Sequence, residues 1–110
     1  MKKFRNYNFE FDKNERKILS SFSKQVIKQM ETDNRFFADV KAFGSILSKL
    51  NEPSDVVKLT KDEYTRLGHQ LRENVKFLQT KAEKGWFFKK WLYKSIYLQY
   101  KNLITTHFSD

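Results

Sequence analysis

At 110 residues, with a formal net charge of +9, a pI near 9.8 and no cysteine, the chain suits a single domain, 1–110, and is short for an enzyme that must also build a deep pocket. The charge attracts polyanions, while the missing cysteines exclude disulfides, thiolate metal sites and thiol nucleophiles and fit a reducing, cytoplasmic setting. Eleven Phe within a 39% hydrophobic composition exceed what a disordered chain of this charge carries, and three Gly with one Pro are too few for many short strands. The expected fold is mainly α, a four-helix bundle made of two helical hairpins.

The first residues, MKKFRNYNFEFD, are basic but lack the apolar run of a secretion signal, and no stretch approaches the eighteen uncharged apolar residues of a membrane span. Tyr7 to Phe11 alternates apolar and polar side chains and reads as an extended segment. Asp12 followed three positions later by Glu15 is a capping-box pattern, in which each side chain can bond the other residue's backbone N–H. A helix is therefore expected from residue 13 to about Met30, with Ile18, Leu19, Phe22, Val26 and Met30 forming its apolar stripe.

Thr32 to Asn34 is a polar interruption, after which Arg35-Phe36-Phe37 opens a second helix carrying Val40, Phe43, Leu47 and Leu50. Asn51 to Asp55 holds the only proline and ends that helix. Val56 to Leu59 is a second extended segment, expected to pair with residues 7–11 as a two-stranded ribbon. Thr60 and Glu63 repeat the capping-box spacing and start a third helix near residue 61, which runs to about Glu83 with Tyr64, Leu67, Leu71, Val75 and Leu78 on one face. Gly85 suits the next turn, and Trp86-Phe87-Phe88 leads a fourth helix through Leu92, Ile96 and Leu103.

The two halves echo each other at a separation of 48 positions, giving half-repeats 7–50 and 55–104. Four of the 22 aligned positions are identical: Lys13/Lys61, Glu15/Glu63, Leu19/Leu67 and Lys28/Lys76. So few identities leave duplication and convergence equally open.

Charge is unevenly placed. Residues 1–55 carry eleven Lys/Arg against eight Asp/Glu, or +3, and residues 56–110 carry eleven against five, or +6. Between Lys84 and Lys101 seven aromatic residues and five lysines fill eighteen positions without one acid. Helical spacing puts Phe88, Leu92, Ile96, Tyr100 and Leu103 on a core-facing side and Phe87, Trp91 and Leu98 on another. One core does not easily hold both, so the second face either completes the bundle or meets a partner, including a second copy in a homodimer through this C-terminal helix.

The candidate binding surface is accordingly Lys90, Lys94 and Lys101 with Trp86, Phe87, Trp91 and Tyr97. Lysines contact phosphate, and rings stack on bases. The scarcity of Arg, Asn and Gln beside them argues against base-specific readout of a duplex. Lys17, Lys24 and Lys28 on the first helix, and Lys2, Lys3 and Arg5 before it, can extend the basic surface. The plain alternative for the stripe of Lys90, Lys94 and Lys101 is a solvated helix face.

No catalytic constellation is visible. His69 and His107 are the only histidines and stand 38 positions apart, without a paired-acid cluster or a glycine-rich phosphate loop. His69 reads as a surface or edge residue of the third helix, and no metal, cofactor or enzymatic activity is expected. Three functional classes follow. The first is a small basic protein that binds nucleic acid through backbone charge. The second is an interaction or inhibitor protein that covers the acidic surface of a nucleic-acid enzyme, and the third a peripheral membrane or immunity-type protein. The abundance of Lys, Asn, Ile and Phe with little Ala or Gly is the mark of an AT-rich genome and points to a phage or mobile element.

Overall fold

The computed structural model describes residues 7–83 and 90–108, with side chains at 7–80 and 96–108. The fold is mainly α: four helices, with bundle-like contacts between helices, and one short antiparallel ribbon. In chain order the elements are β1 (Tyr7–Phe9), α1 (Lys13–Met30), a 3-10 turn (Asn34–Phe36), α2 (Phe37–Leu50), β2 (Val57–Leu59), α3 (Lys61–Glu83) and α4 (Lys90–His107). The chain divides into two compact units, Met1–Arg66 and Leu67–Asp110, the division falling inside α3. The turn expected at Gly85 and the helix start expected at Trp86, Phe87 and Phe88 lie outside the described residues, as do Lys2, Lys3 and Arg5.

In the first unit both capping boxes form as their spacing demands. Asp12 N–H donates to Glu15 Oε1 at 2.9 Å and Glu15 N–H to Asp12 Oδ1 at 2.7 Å, so two otherwise orphaned amides of the first turn are satisfied. Thr60 N–H donates to Glu63 Oε1 at 2.9 Å and Glu63 N–H to Thr60 Oγ1 at 3.1 Å, starting α3 in the same way. The residues just before the two boxes form the ribbon, with Tyr7 opposite Leu59, Asn8 opposite Lys58 and Phe9 opposite Val57. Phe9 thus pairs with the residue 48 positions later, its counterpart in the half-repeat alignment.

The stripe of α1 behaves as its period requires: Leu19, Phe22 and Val26 are buried, while Ile18 and Met30 at its edges are half-buried. On α2, Phe43, Ile46 and Leu50 are buried, and Phe22 meets Phe43 edge-on at 6.5 Å between centroids and 71° between planes, joining the two helices. The ribbon adds Phe9, Phe11, Val57 and Leu59 to the core. Tyr7 stacks on Tyr64 at 4.2 Å, and Phe9 lies 5.9 Å from the same ring and 5.0 Å from Phe11. Such ring pairs add to plain area burial.

Arg16 decides where the proline-containing loop runs. Its Nη1 donates to the carbonyl oxygens of Leu50 at 2.9 Å and Glu52 at 3.3 Å, and Nη2 donates to Ser54 O. Leu50 O is a carbonyl that the end of α2 leaves without a helical partner, while Glu52 and Ser54 lie in the loop beyond it, and holding all three from α1 brings the chain back toward the ribbon.

The second unit uses the same device. Arg72 on α3 donates through Nη2 to Phe108 O, just past the end of α4. Among its described side chains Leu67, Leu71, Leu78, Tyr100, Leu103 and Phe108 are buried, as the spacing of α3 and α4 predicts for all but Phe108. Burial pushes the Tyr100 hydroxyl above its ordinary pKa. Within the described residues no helix is long and apolar enough to cross a membrane.

Candidate functional site

Of the expected binding surface, Trp86 and Phe87 lie outside the described residues, and the side chains of Lys90, Trp91 and Lys94 lie outside the described side chains. Their backbones at positions 90, 91 and 94 belong to α4. Two members are fully described and come together: Lys101 is exposed and its Nζ stands 5.6 Å from the ring centroid of half-buried Tyr97, a cation on an aromatic face. The two apolar sides expected of α4 separate as far as they can be followed. Tyr100 and Leu103 are buried and Ile96 half-buried, whereas Leu98, on the other side, is 48% exposed.

The basic surface of the first unit is more completely seen. Lys17, Lys24 and Lys28 are all exposed on α1, and Lys13, which the sequence reading left out of this group, joins them. At 100° per residue the four occupy an arc of about 60° opposite the buried Leu19, Phe22 and Val26. The spacing of Lys13, Lys17 and Lys24 is the four-then-seven spacing of Lys90, Lys94 and Lys101.

Four acids of the first unit are held by the protein's own basic side chains. Asp39 and Asp62 both hold Arg66, at 2.8 Å and 3.0 Å, which raises the guanidinium pKa through Asp39 first and Asp62 second. Arg35 grips Asp33 at 2.7 Å, and this hydrogen bond holds the Asp33 carboxyl below its usual range. Glu63 is buried, which by itself would raise its pKa, yet Lys49 at 2.7 Å, Ser45 Oγ at 2.6 Å and the Thr60 N–H together pull it below the ordinary value.

Every described arginine is engaged by another group of the protein. Arg16 and Arg72 hold carbonyl oxygens, Arg35 holds Asp33, and Arg66 holds Asp39 and Asp62. By contrast, Lys13, Lys17, Lys24, Lys28, Lys41, Lys58, Lys61 and Lys101 are exposed. None of these eight is in an ion pair among the described residues.

A cleft of about 400 Å³ opens in the first unit, lined by Phe37, Ala38, Lys41, Ala42, Ser45, Thr60, Asp62 and Glu63. Phe37, read from sequence only as a helix-opening residue, is 69% exposed on its rim. Its neighbour Phe36 is half-buried beneath the Arg35 guanidinium, 5.6 Å from the ring centroid. The position of Phe37 at the first residue of α2, before the apolar stripe begins, was the available signal. Among the described residues no group of three or more His, Asp and Glu could hold a metal ion, and His69 is exposed on α3. No protein-family model matches the chain, nor does a curated protein or a solved structure.

Proposed function

We propose that the chain is a small, non-enzymatic binding protein that takes nucleic acid through the charge of its phosphate backbone, without reading bases. One observation carries this reading: the described arginines are all bound up in the protein's own contacts, while eight exposed lysines have no carboxylate partner among the described residues. Bidentate base recognition uses arginine or an amide, whereas a flexible ammonium serves as a point charge for phosphate. Lys101 over Tyr97 adds a ring beside a cation, the combination that single strands also use.

The test is binding of the full chain to two 20-nucleotide duplexes of unrelated sequence, and to their separated strands, between 50 and 200 mM salt. Equal affinity for both sequences and a steep fall with salt are expected. Absence of binding, or binding indifferent to salt, removes the reading.

A protein partner has one observation in its own favour, the exposed Phe37 at the rim of the cleft. Such a partner would be the acidic surface of a nucleic-acid enzyme, covered by an inhibitor from a phage or mobile element. Recovery of a stoichiometric complex from nuclease-treated lysate, lost in Phe37→Ser, would favour it over nucleic-acid binding.

A further inference from the structure

We infer that the outward face of α1, carrying Lys13, Lys17, Lys24 and Lys28, is a docking surface for the phosphate backbone of double-stranded nucleic acid. The inference rests on the nucleic-acid reading above and assigns it a site of its own, apart from the aromatic surface of α4. The four lysines cover about 22 Å of helix axis within an arc of about 60°. All are exposed, and none has a carboxylate partner among the described residues.

Helix physics alone does not favour this arrangement. Lys13 and Lys17, like Lys24 and Lys28, are like charges at i and i+4, which repel across one turn. Lys13 also sits in the first turn, where the macrodipole disfavours a cation. No acid stands between Glu15 and Glu31 to relieve the repulsion, although helices commonly intersperse both signs. A polyanion laid along the face relieves all three at once by replacing the mutual repulsion with attraction.

The form of the face selects among polyanions. Its intervening exposed residues are Asn14, Ser21 and Gln25, so it offers no ring for stacking on the bases of a single strand. An anionic bilayer would want fully exposed apolar side chains beside the lysines to enter the headgroup layer, and those of α1 are buried (Leu19, Phe22, Val26) or half-buried (Ile18, Ile27, Met30). What remains is a straight, narrow row of positive charge, which suits the closely spaced phosphates of a duplex, one charge per about 1.7 Å of axis. The flanking acids Asp12 and Glu31 mark its ends.

The deciding measurement compares the wild-type full chain with a quadruple variant, Lys13→Gln, Lys17→Gln, Lys24→Gln and Lys28→Gln, on a random-sequence 20-base-pair duplex across a salt series. Circular dichroism and thermal melting monitor the fold. The slope of log K against log salt is expected to flatten by about 3.6, so that wild type loses about 150-fold more affinity than the variant between 50 and 200 mM. The corresponding quadruple Lys→Arg variant is expected to retain the wild-type slope. The double variants Lys13→Gln/Lys17→Gln and Lys24→Gln/Lys28→Gln should each remove about half the change and keep the test open if the quadruple misfolds.

Wild-type binding with an unchanged slope in folded variants overturns the α1 site and leaves the nucleic-acid reading standing. Binding of wild type to single strands but not to duplex also overturns the site alone. No binding of wild type to either removes both. Cosedimentation with phosphatidylserine vesicles that is lost in the quadruple variant, while duplex binding persists, assigns the face to lipid and overturns the proposal.

Discussion

Glu63 and Lys49 face each other at 2.7 Å between Oε1 and Nζ, and the same carboxylate closes the capping box of α3 through the Thr60 N–H. Ser45 Oγ donates to its other oxygen at 2.6 Å. A helix-start residue has thereby become the tie between α2, the end of β2 and the beginning of α3. Its removal leaves a half-buried ammonium, a hydroxyl and a backbone amide without this partner.

Replacing Glu63 by Gln is expected to cost about 1 to 3 kcal/mol at pH 7, because the charge-assisted bonds to Lys49, Ser45 and the Thr60 N–H weaken. The Glu63 pKa is depressed in the folded state, so its contribution is fully present above the unfolded carboxylate value of about 4.3 and lost as pH falls through the folded value. Urea melts at pH 7 and pH 3 should show the gap between wild type and Glu63→Gln closing at the lower pH. A gap of the same size at both would mean the carboxylate charge is not what matters.

The other capping box supplies the contrast. Asp12 and Glu15 make the same reciprocal bonds in an exposed position, and Glu15→Ala is expected to cost about 0.5 to 1 kcal/mol. Glu63→Ala should cost at least twice as much in the same denaturation assay. Equal losses would reduce Glu63 to a cap.

Arg16→Lys tests the clamp on the loop after α2. An ammonium cannot reach the Leu50, Glu52 and Ser54 carbonyls together as the guanidinium does. A loss of about 1 to 2 kcal/mol is expected, with faster amide exchange at residues 57–59 as the ribbon loosens. Unchanged exchange there would show that the ribbon holds without the clamp.

Ser23 is fully buried, and among the described residues its Oγ has no hydrogen-bond partner. A hydroxyl desolvated without compensation is costly, so Ser23→Ala is expected to leave stability equal or raise it by about 1 kcal/mol. A clear fall in melting temperature would reveal a partner for the hydroxyl.

Gly44 lies on the exposed side of α2, and a Cβ there meets nothing within 4 Å. Gly44→Ala should stabilise by about 0.5 to 1 kcal/mol through helix propensity alone. A rise of a few degrees in melting temperature is the expected reading, and a fall would indicate strain at this position.

Elements and edges were legible from sequence because they depend on neighbours a few residues away. Capping boxes at Asp12/Glu15 and Thr60/Glu63 and the three-to-four spacing of Leu19, Phe22 and Val26 each depend on local geometry, and α1 spans the residues they predict. The ribbon was legible too, since two short apolar segments standing before matching caps have few other ways to satisfy their amides. The candidate surface was legible only as composition. Seven aromatics among lysines do not say which rings go inside, and Tyr100 is buried while Tyr97 remains half-exposed under Lys101.

Pairing across long separations was decided by tertiary structure alone. Nothing in the order of residues announces that Glu63 would take Lys49 and Ser45, that Arg66 would take Asp39, or that Arg16 would spend its guanidinium on carbonyls more than thirty positions away. These choices set which charges are neutralised inside the fold and which remain outside. By itself the sequence determined four helices, their apolar faces and a surplus of lysine, because periodicity and charge are additive along a chain. Folding decided that the described arginines are held by the protein's own groups and that Lys13, Lys17, Lys24 and Lys28 stand together without a carboxylate partner among the described residues, because neutralisation depends on distance in space.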